Sequence, residues 1–174
     1  MKNTSKIIFL GLFILIISKL LLVSCIKEEN IDYAKQERDL LDKYLQDNNI
    51  TVDPTASGLY FIPGDTGTGP FAELGDTISM YYAGFTIQGS IVGTNIESVA
   101  IEYGVEEYFT DFDPYVFKLG EPGNVTPGIE EGLTYMNAGS TATLIMPSDI
   151  AIPGTYVTLI YDIELLEVRE PGTK

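Results

Sequence analysis

A single cysteine, Cys25, and no histidine limit the chemistry open to this 174-residue chain. Without histidine, a Ser-His-Asp relay has no base and an imidazole-based metal site has no ligands. One thiol also forbids an intramolecular disulfide. Tryptophan is absent as well, so the aromatic content is 11 Tyr and 8 Phe. Charge sharpens the exclusion. With 25 acidic and 10 basic residues the net charge is −15, which repels a phosphate backbone or an anionic membrane face. No metal or cofactor is expected, and no nucleic-acid partner.

The lone thiol has a defined setting. Lys2 and Lys6 form a positive start, and Ile7 to Ile17 a hydrophobic run that Leu20 to Val23 extend past Ser18 and Lys19. Lys19 breaks that run short of the ~20 apolar residues a membrane-spanning helix needs, so residues 1–24 read as an export signal. Leu22-Val23-Ser24-Cys25 then resembles the lipobox of bacterial lipoproteins. That resemblance implies cleavage before Cys25, a thioether to diacylglycerol and a lipid-anchored place in the cell envelope, outer-membrane, periplasmic or surface-exposed. Ile26-Lys27-Glu28-Glu29 resembles the Lys-then-acid mark of surface-exported Bacteroidetes lipoproteins, with a plain hydrophilic tether as the alternative. Removing three signal lysines leaves seven basic residues against 25 acidic, a balance of −18. The lipid, rather than protein charge, must hold such a chain to a bilayer.

The elements that position the remaining chemistry follow from periodicity. Residues 25–53 form a tether and one helix, 31–48, whose apolar stripe is Ala34, Leu41, Tyr44 and Leu45. It is a spacer or a packing element. From Ser57 onward the pattern is β. Leu59 to Ile62 is a short strand, and Thr77 to Phe85 alternates with Ile78, Met80 and Tyr82 on one face. Gln88-Gly89 turns into Ile91-Val92, Tyr115 to Leu119 is short, and Thr141 to Met146 alternates again. In the last strand Val157, Leu159, Tyr161, Ile163 and Leu165 share a face opposite Thr158, Asp162 and Glu164. Pro127 to Met136 forms a short helix, with Pro at its start, Glu130 and Glu131 suited to its dipole, and Ile129, Leu133 and Met136 as its stripe. The layout is α+β, an antiparallel sheet covering one short helix.

In this order the segments resemble the FKBP-type peptidyl-prolyl isomerases. The resemblance is carried by Ser57-Gly58-Leu59-Tyr60, by Gly75-Asp76-Thr77-Ile78-Ser79-Met80-Tyr81-Tyr82-Ala83-Gly84, and by Phe117-Lys118-Leu119-Gly120. Val125-Thr126-Pro127-Gly128-Ile129-Glu130-Glu131-Gly132-Leu133 follows. Met146-Pro147-Ser148-Asp149-Ile150-Ala151 and Thr158 to Leu166 complete it. It implies a domain over residues 54–170 with an insertion at 95–113 and a 171–174 tail, in which a bent sheet wraps the helix. It also implies a groove for an X-Pro segment, rotation of that bond without nucleophile or metal, and a monomer that helps exported proteins fold.

Residue by residue, the resemblance places the groove at Tyr82, Tyr115, Val125, Thr126, Ile129 and Tyr161. Two further substrate-facing positions fall on Val92 and Ile152, and there this chain departs from the family. Val92-Gly93 stands where a Phe-Asp pair is usual, so the orienting carboxylate is missing. Ile152 stands where a tyrosine hydroxyl is usual, and Ile129 is smaller than the tryptophan often found at its place. The connection shrinks to Gly154-Thr155 in the loop that follows. Weak isomerase activity and a catalytically inactive binding module or chaperone are therefore both open. The insertion at 95–113, acidic with Tyr103, Tyr108, Phe109 and Phe112, either walls the groove, binds a partner, or is a solvated excursion pinned by its aromatics.

Overall fold

The computed structural model describes residues 31–172. The chain divides into two units, residues 1–31 and 32–174, and everything below concerns the second. The expected export signal, Cys25 and residues 26–30 of the expected tether lie outside the described residues. Among the described residues no helix is long and apolar enough to cross a membrane.

Helix α1, Tyr33–Asp47, opens where the Asp32 carboxylate accepts from the Lys35 N–H at 2.9 Å, satisfying one orphan donor of the first turn. It closes at Asn48, followed by Asn49 at φ 55°. Six strands follow: β1 (Tyr60–Pro63), β2 (Thr77–Thr86), β3 (Ile91–Thr94), β4 (Tyr115–Lys118), β5 (Ser140–Met146) and β6 (Leu159–Arg169). Helix α2 (Glu97–Glu102) lies between β3 and β4, and α3 (Pro127–Thr134) between β4 and β5. The sheet order is β1-β5-β6-β2-β3, with β4 also pairing β2, and every pairing is antiparallel. This is the expected α+β architecture.

Strand β2 is the spine. One edge pairs along its whole length with β6, from Thr77 opposite Arg169 to Thr86 opposite Leu159. Its other edge is shared. The half from Thr77 to Met80 pairs with β4, and Ala83 to Phe85 with β3. The insertion at 95–113 therefore leaves and rejoins one edge line at neighbouring points.

Helix α3 sits on the inner face. Ile129, Leu133 and Met136 are buried with Ile78, Met80, Leu144, Met146, Leu159, Ile163 and Leu165. Its glycines explain how close it comes. A Cβ on Gly128 would lie 2.6 Å from Met146 Sδ, and one on Gly132 2.5 Å from Leu144 Cδ1. Both distances are shorter than a carbon contact allows, so glycine at these positions lets α3 rest on β5 without displacing Met146 or Leu144.

The outer face carries an apolar patch where α1 covers it. Leu41 packs with Ile145 and Ile160, flanked by Tyr44, Leu45, Ile50, Tyr60, Ile62 and Ile87. Burying Leu41 contributes about 1.5–3 kcal/mol. Glu37 occupies the same stripe, nine-tenths buried. It accepts from the Ser148 backbone N–H and hydroxyl, both at 2.7 Å, and from the Thr158 hydroxyl at 3.0 Å. Helix α1 is thus a packing element of the domain.

One assignment of the final strand changes. Val157 is exposed, because the strand begins only at Leu159; Thr158, expected opposite Leu159, is buried against Glu37 of α1 on the outer side.

Candidate functional site

Where the inner face of the sheet meets the start of α3, a cleft of about 340 Å³ is lined by Met80, Tyr82, Tyr115, Asn124, Val125, Thr126, Ile129 and Tyr161. Six of the eight residues singled out in the sequence come together here. Strand β2 supplies Met80 and Tyr82, β4 supplies Tyr115, and β6 supplies Tyr161. Ile129 is the floor, 4% exposed, and Val125 and Thr126 enter from the segment leading into α3.

Val92 and Ile152 are not in the lining. Val92 is 40% exposed. The β2–β3 register passes from Gly84 opposite Gly93 to Phe85 opposite Ile91, so Val92 is the extra, unpaired residue of a bulge. Ile152 is 51% exposed, in the short loop between β5 and β6. Nothing in the sequence signalled that bulge. Met80 and Asn124 line the cleft but were not singled out; Met80 follows from the β2 alternation that gave Tyr82, whereas Asn124 has no such signal.

The rings set the shape. Tyr82 and Tyr161 lie nearly parallel, with centroids 6.0 Å apart and planes at 24°. Tyr115 meets Tyr82 edge-on at 6.4 Å and stacks on Phe117 at 5.0 Å. Such contacts add about 0.5–1.5 kcal/mol per pair and hold the walls apart as a preformed hollow. The ring of Tyr161 lies against Gly84, where an added Cβ would be 2.5 Å from Cζ. Glycine at that position lets the ring lie flat on the neighbouring strand.

Most polar groups of the lining are engaged internally. The Tyr115 hydroxyl donates to the Asn124 carbonyl at 3.0 Å, and the Asn124 amide donates to the Lys118 carbonyl at 3.1 Å. The Thr126 hydroxyl is turned toward Met146 Sδ at 3.8 Å. Burial raises the Tyr82 and Tyr161 phenols above their ordinary range, and nearby Tyr115 and Asp111 add to the effect on Tyr82. Both rings therefore stay neutral through the physiological range.

The insertion borders this region without forming the lining. Ala100 of α2 is fully buried, Tyr103 meets Phe85 at 5.3 Å, and Tyr108 stands 82% exposed. Two other hollows, of about 380 and 460 Å³, adjoin Ile96 and Glu164 and carry Thr141, Thr143, Asp162 and Glu97. The inner cleft differs from both in its cluster of three tyrosines. Among the described residues no group of acidic, histidine or cysteine side chains could hold a metal ion.

Comparison with known proteins agrees with this architecture. The model of the family described as FKBP-type peptidyl-prolyl cis-trans isomerase matches residues 69–166. The chain is 30% identical over 128 residues to the FKBP-type peptidyl-prolyl cis-trans isomerase FkpA of Buchnera aphidicola, covering 66% of this chain and 42% of that relative. It thus spans less than half of that relative's length. Among solved structures it resembles FkpA from Escherichia coli, with a TM-score of 0.57, 21% identity, and coverage of 98% of this chain and 74% of that one. It also resembles a peptidyl-prolyl cis-trans isomerase from Pseudomonas syringae pv. tomato, with a TM-score of 0.59, 23% identity, and coverage of 79% and 94%. At these identities the structural likeness concerns the fold.

Proposed function

The chain belongs to the FKBP-type peptidyl-prolyl cis-trans isomerase family, and from that premise we propose that its inner cleft binds proline-containing polypeptide segments and accelerates rotation about the X-Pro bond. The observation that carries this reading is an open, preformed cleft of about 340 Å³ walled by Tyr82, Tyr115 and Tyr161 over Ile129.

The reaction asks for no bond to be broken. An X-Pro amide rotates in tens to hundreds of seconds because its resonance must be lost on the way. Water stabilises the charge-separated planar form more than the twisted one. A cleft of rings and aliphatic side chains removes that water, so it favours the twisted amide over the planar one. The residues at hand suit this role, since the cleft offers shape and a water-poor surface and requires no nucleophile. The test is refolding of a protein limited by proline isomerisation. Acceleration at micromolar concentrations of the chain is expected, and an unchanged slow phase rejects catalysis.

A second reading keeps the cleft as a binding site without rate enhancement. It is favoured by Gly93, which offers no carboxylate, and by Ile152, which offers no hydroxyl and stands 51% exposed. It predicts that proline-containing peptides bind while their isomerisation rate stays at the solution value. Both readings share one setting. Export by residues 1–24 and acylation of Cys25 would hold a monomeric domain at the cell envelope, where exported chains fold. Labelling with a radioactive fatty acid, abolished by Cys25→Ser, tests the anchor.

A further inference from the structure

An X-Pro unit has a particular polar inventory. Proline carries no N–H, so the prolyl amide itself presents only a carbonyl oxygen, an acceptor. A cleft that orients it needs donors, and the side-chain donors of this one can be accounted for. Tyr115 donates to the Asn124 carbonyl, Asn124 to the Lys118 carbonyl, and Thr126 to Met146 Sδ. Two side-chain hydroxyls are left. Those of Tyr82 and Tyr161 have no hydrogen-bond partner among the described residues, although both rings line the cleft.

Their placement is convergent. Gly84 of β2 and Gly93 of β3 face each other directly across the ladder. A Cβ on Gly84 would lie 2.5 Å from Cζ of Tyr161, the carbon that bears its hydroxyl. A Cβ on Gly93 would lie 3.5 Å from Cε2 of Tyr82 and 4.0 Å from its hydroxyl oxygen. The phenol ends of both tyrosines therefore meet over the same pair of glycines. No side chain at 84 or 93 reaches up to accept from them.

We propose that the hydroxyls of Tyr82 and Tyr161, gathered over the Gly84–Gly93 step, form a paired donor site for a carbonyl oxygen next to the prolyl bond. This rests on the isomerase reading and gives the cleft the polar handles that positions 93 and 152 do not supply. Neutral donors suit a neutral carbonyl, and the chain's net charge of −15 disfavours a carboxylate in its place. Because burial raises both phenols, they remain protonated donors at working pH.

The experiment uses Tyr82→Phe, Tyr161→Phe and the double variant, which keep the rings and remove only the oxygens. Prolyl isomerisation is followed with an X-Pro tetrapeptide and with its thioxo analogue, whose sulfur is a poor acceptor. With the ordinary peptide each single variant is expected to lose about tenfold in kcat/KM and the double about a hundredfold, the loss of one and two such bonds. With the thioxo peptide the same substitutions are expected to change the rate less than threefold. Thermal melting within a few degrees of the parent confirms that the walls are intact. A double variant within twofold of an active parent overturns the donor pair, and so does an equal loss on both peptides, which marks a structural role. A parent inactive on all peptides sinks the isomerase reading instead. In that event peptide affinity becomes the readout: tenfold weaker binding by the double variant sustains the donor pair, and unchanged binding overturns it.

Discussion

Replacing Glu37 by alanine removes the acceptor for three donors at once: the Ser148 N–H and hydroxyl at 2.7 Å and the Thr158 hydroxyl at 3.0 Å. Ser148 and Thr158 are each 2% exposed, so water does not readily replace the carboxylate. Hydrogen bonds to a charged group contribute about 1.5–3 kcal/mol each, and a buried donor left alone costs about 1–3 kcal/mol. The two hydroxyls can rotate toward other acceptors, whereas the Ser148 N–H has no such freedom. Desolvation of the carboxylate already offsets part of the gain. The net loss for alanine is therefore about 3–4 kcal/mol, a large share of the ~5–15 kcal/mol of a typical domain. Glutamine behaves differently. Its oxygen can stand where one carboxylate oxygen accepts from both Ser148 N–H and Thr158, and its amide can donate to the Ser148 hydroxyl, which then reverses. That substitution costs about 1 kcal/mol. With a urea slope of about 2 kcal/mol per molar, the midpoint falls by ~1.5–2 M for alanine and ~0.5 M for glutamine. Hydrogen exchange adds a local readout. The Gly128 N–H donates to the Ile150 carbonyl at 2.8 Å, so its protection should drop with that of Ser148. An alanine variant within ~0.5 kcal/mol of the parent would refute the brace, and a glutamine variant as unstable as alanine would refute the donor accounting.

Further outcomes can be checked with the same protein. Gly84→Ala drives a Cβ into the Tyr161 ring, 2.5 Å from Cζ; kcat/KM on a prolyl peptide should fall about tenfold or more, since small displacements of binding groups carry large penalties. Asn95→Asp turns an amide that donates to the Met80 and Asp113 carbonyls into a second acceptor facing them. It should lose about 2–3 kcal/mol, read as a melting shift of roughly 6 °C, and more than Asn95→Ala loses. The pH dependence of stability has a definite sign. Burial raises Tyr44, Tyr60, Tyr82 and Tyr161 above their ordinary value of 10.0. Their contribution is complete below pH 10 and lost as pH rises through the folded values, so a melting temperature that stays level from pH 10 to 12 contradicts the burial of these phenols.

Strands β2, β5 and β6 were legible because a strand with one face on the core must alternate, and Ile78, Met80, Leu144, Ile163 and Leu165 do. The helix stripe of α1 was legible for the same kind of reason. Its keystone was not. Glu37 completes the spacing from Ala34 to Leu41, but a carboxylate among charges reads as solvated, and only the partners 111 and 121 residues away explain its burial. Helix α2 escaped notice because it is six residues long and has no side-chain cap. Val92, assigned through the family's Phe-Asp position, sits on a bulge outside the cleft lining, and a bulge leaves no mark in the sequence motif that carried the assignment. The cleft was legible as a set of residues through the family resemblance, which alone pointed to Tyr115, while Tyr82, Ile129 and Tyr161 also fell on faces that the strand alternation or the helix stripe made readable. The free state of two hydroxyls was not, because hydrogen-bond accounting needs every neighbour in place.

The way the insertion is attached explains why it leaves the cleft standing. An excursion of 19 residues, 95–113, out of an edge line should leave β2 with unpaired groups where β3 ends and β4 has not begun, a costly gap in a buried ladder. Asn95 fills it. Its side-chain oxygen accepts from the Tyr82 N–H at 2.7 Å, its amide donates to the Met80 carbonyl at 3.1 Å, and the same amide reaches the Asp113 carbonyl at 3.0 Å. One side chain thus stands in for the missing strand residues and ties both ends of the excursion together. The groups it satisfies belong to Met80 and Tyr82, two residues of the cleft lining. Length around the exposed Tyr108 can then vary with little cost to the spine, because loop closure is weakly dependent on length, whereas the buried Ala100 and the Tyr103 ring that meets Phe85 of β2 belong to the packing. Position 95 holds this junction together with the Thr94 hydroxyl, which donates to the Tyr82 carbonyl at 2.9 Å, so a change at 95 is expected to reach the cleft and a change at the 82% exposed Tyr108 is not.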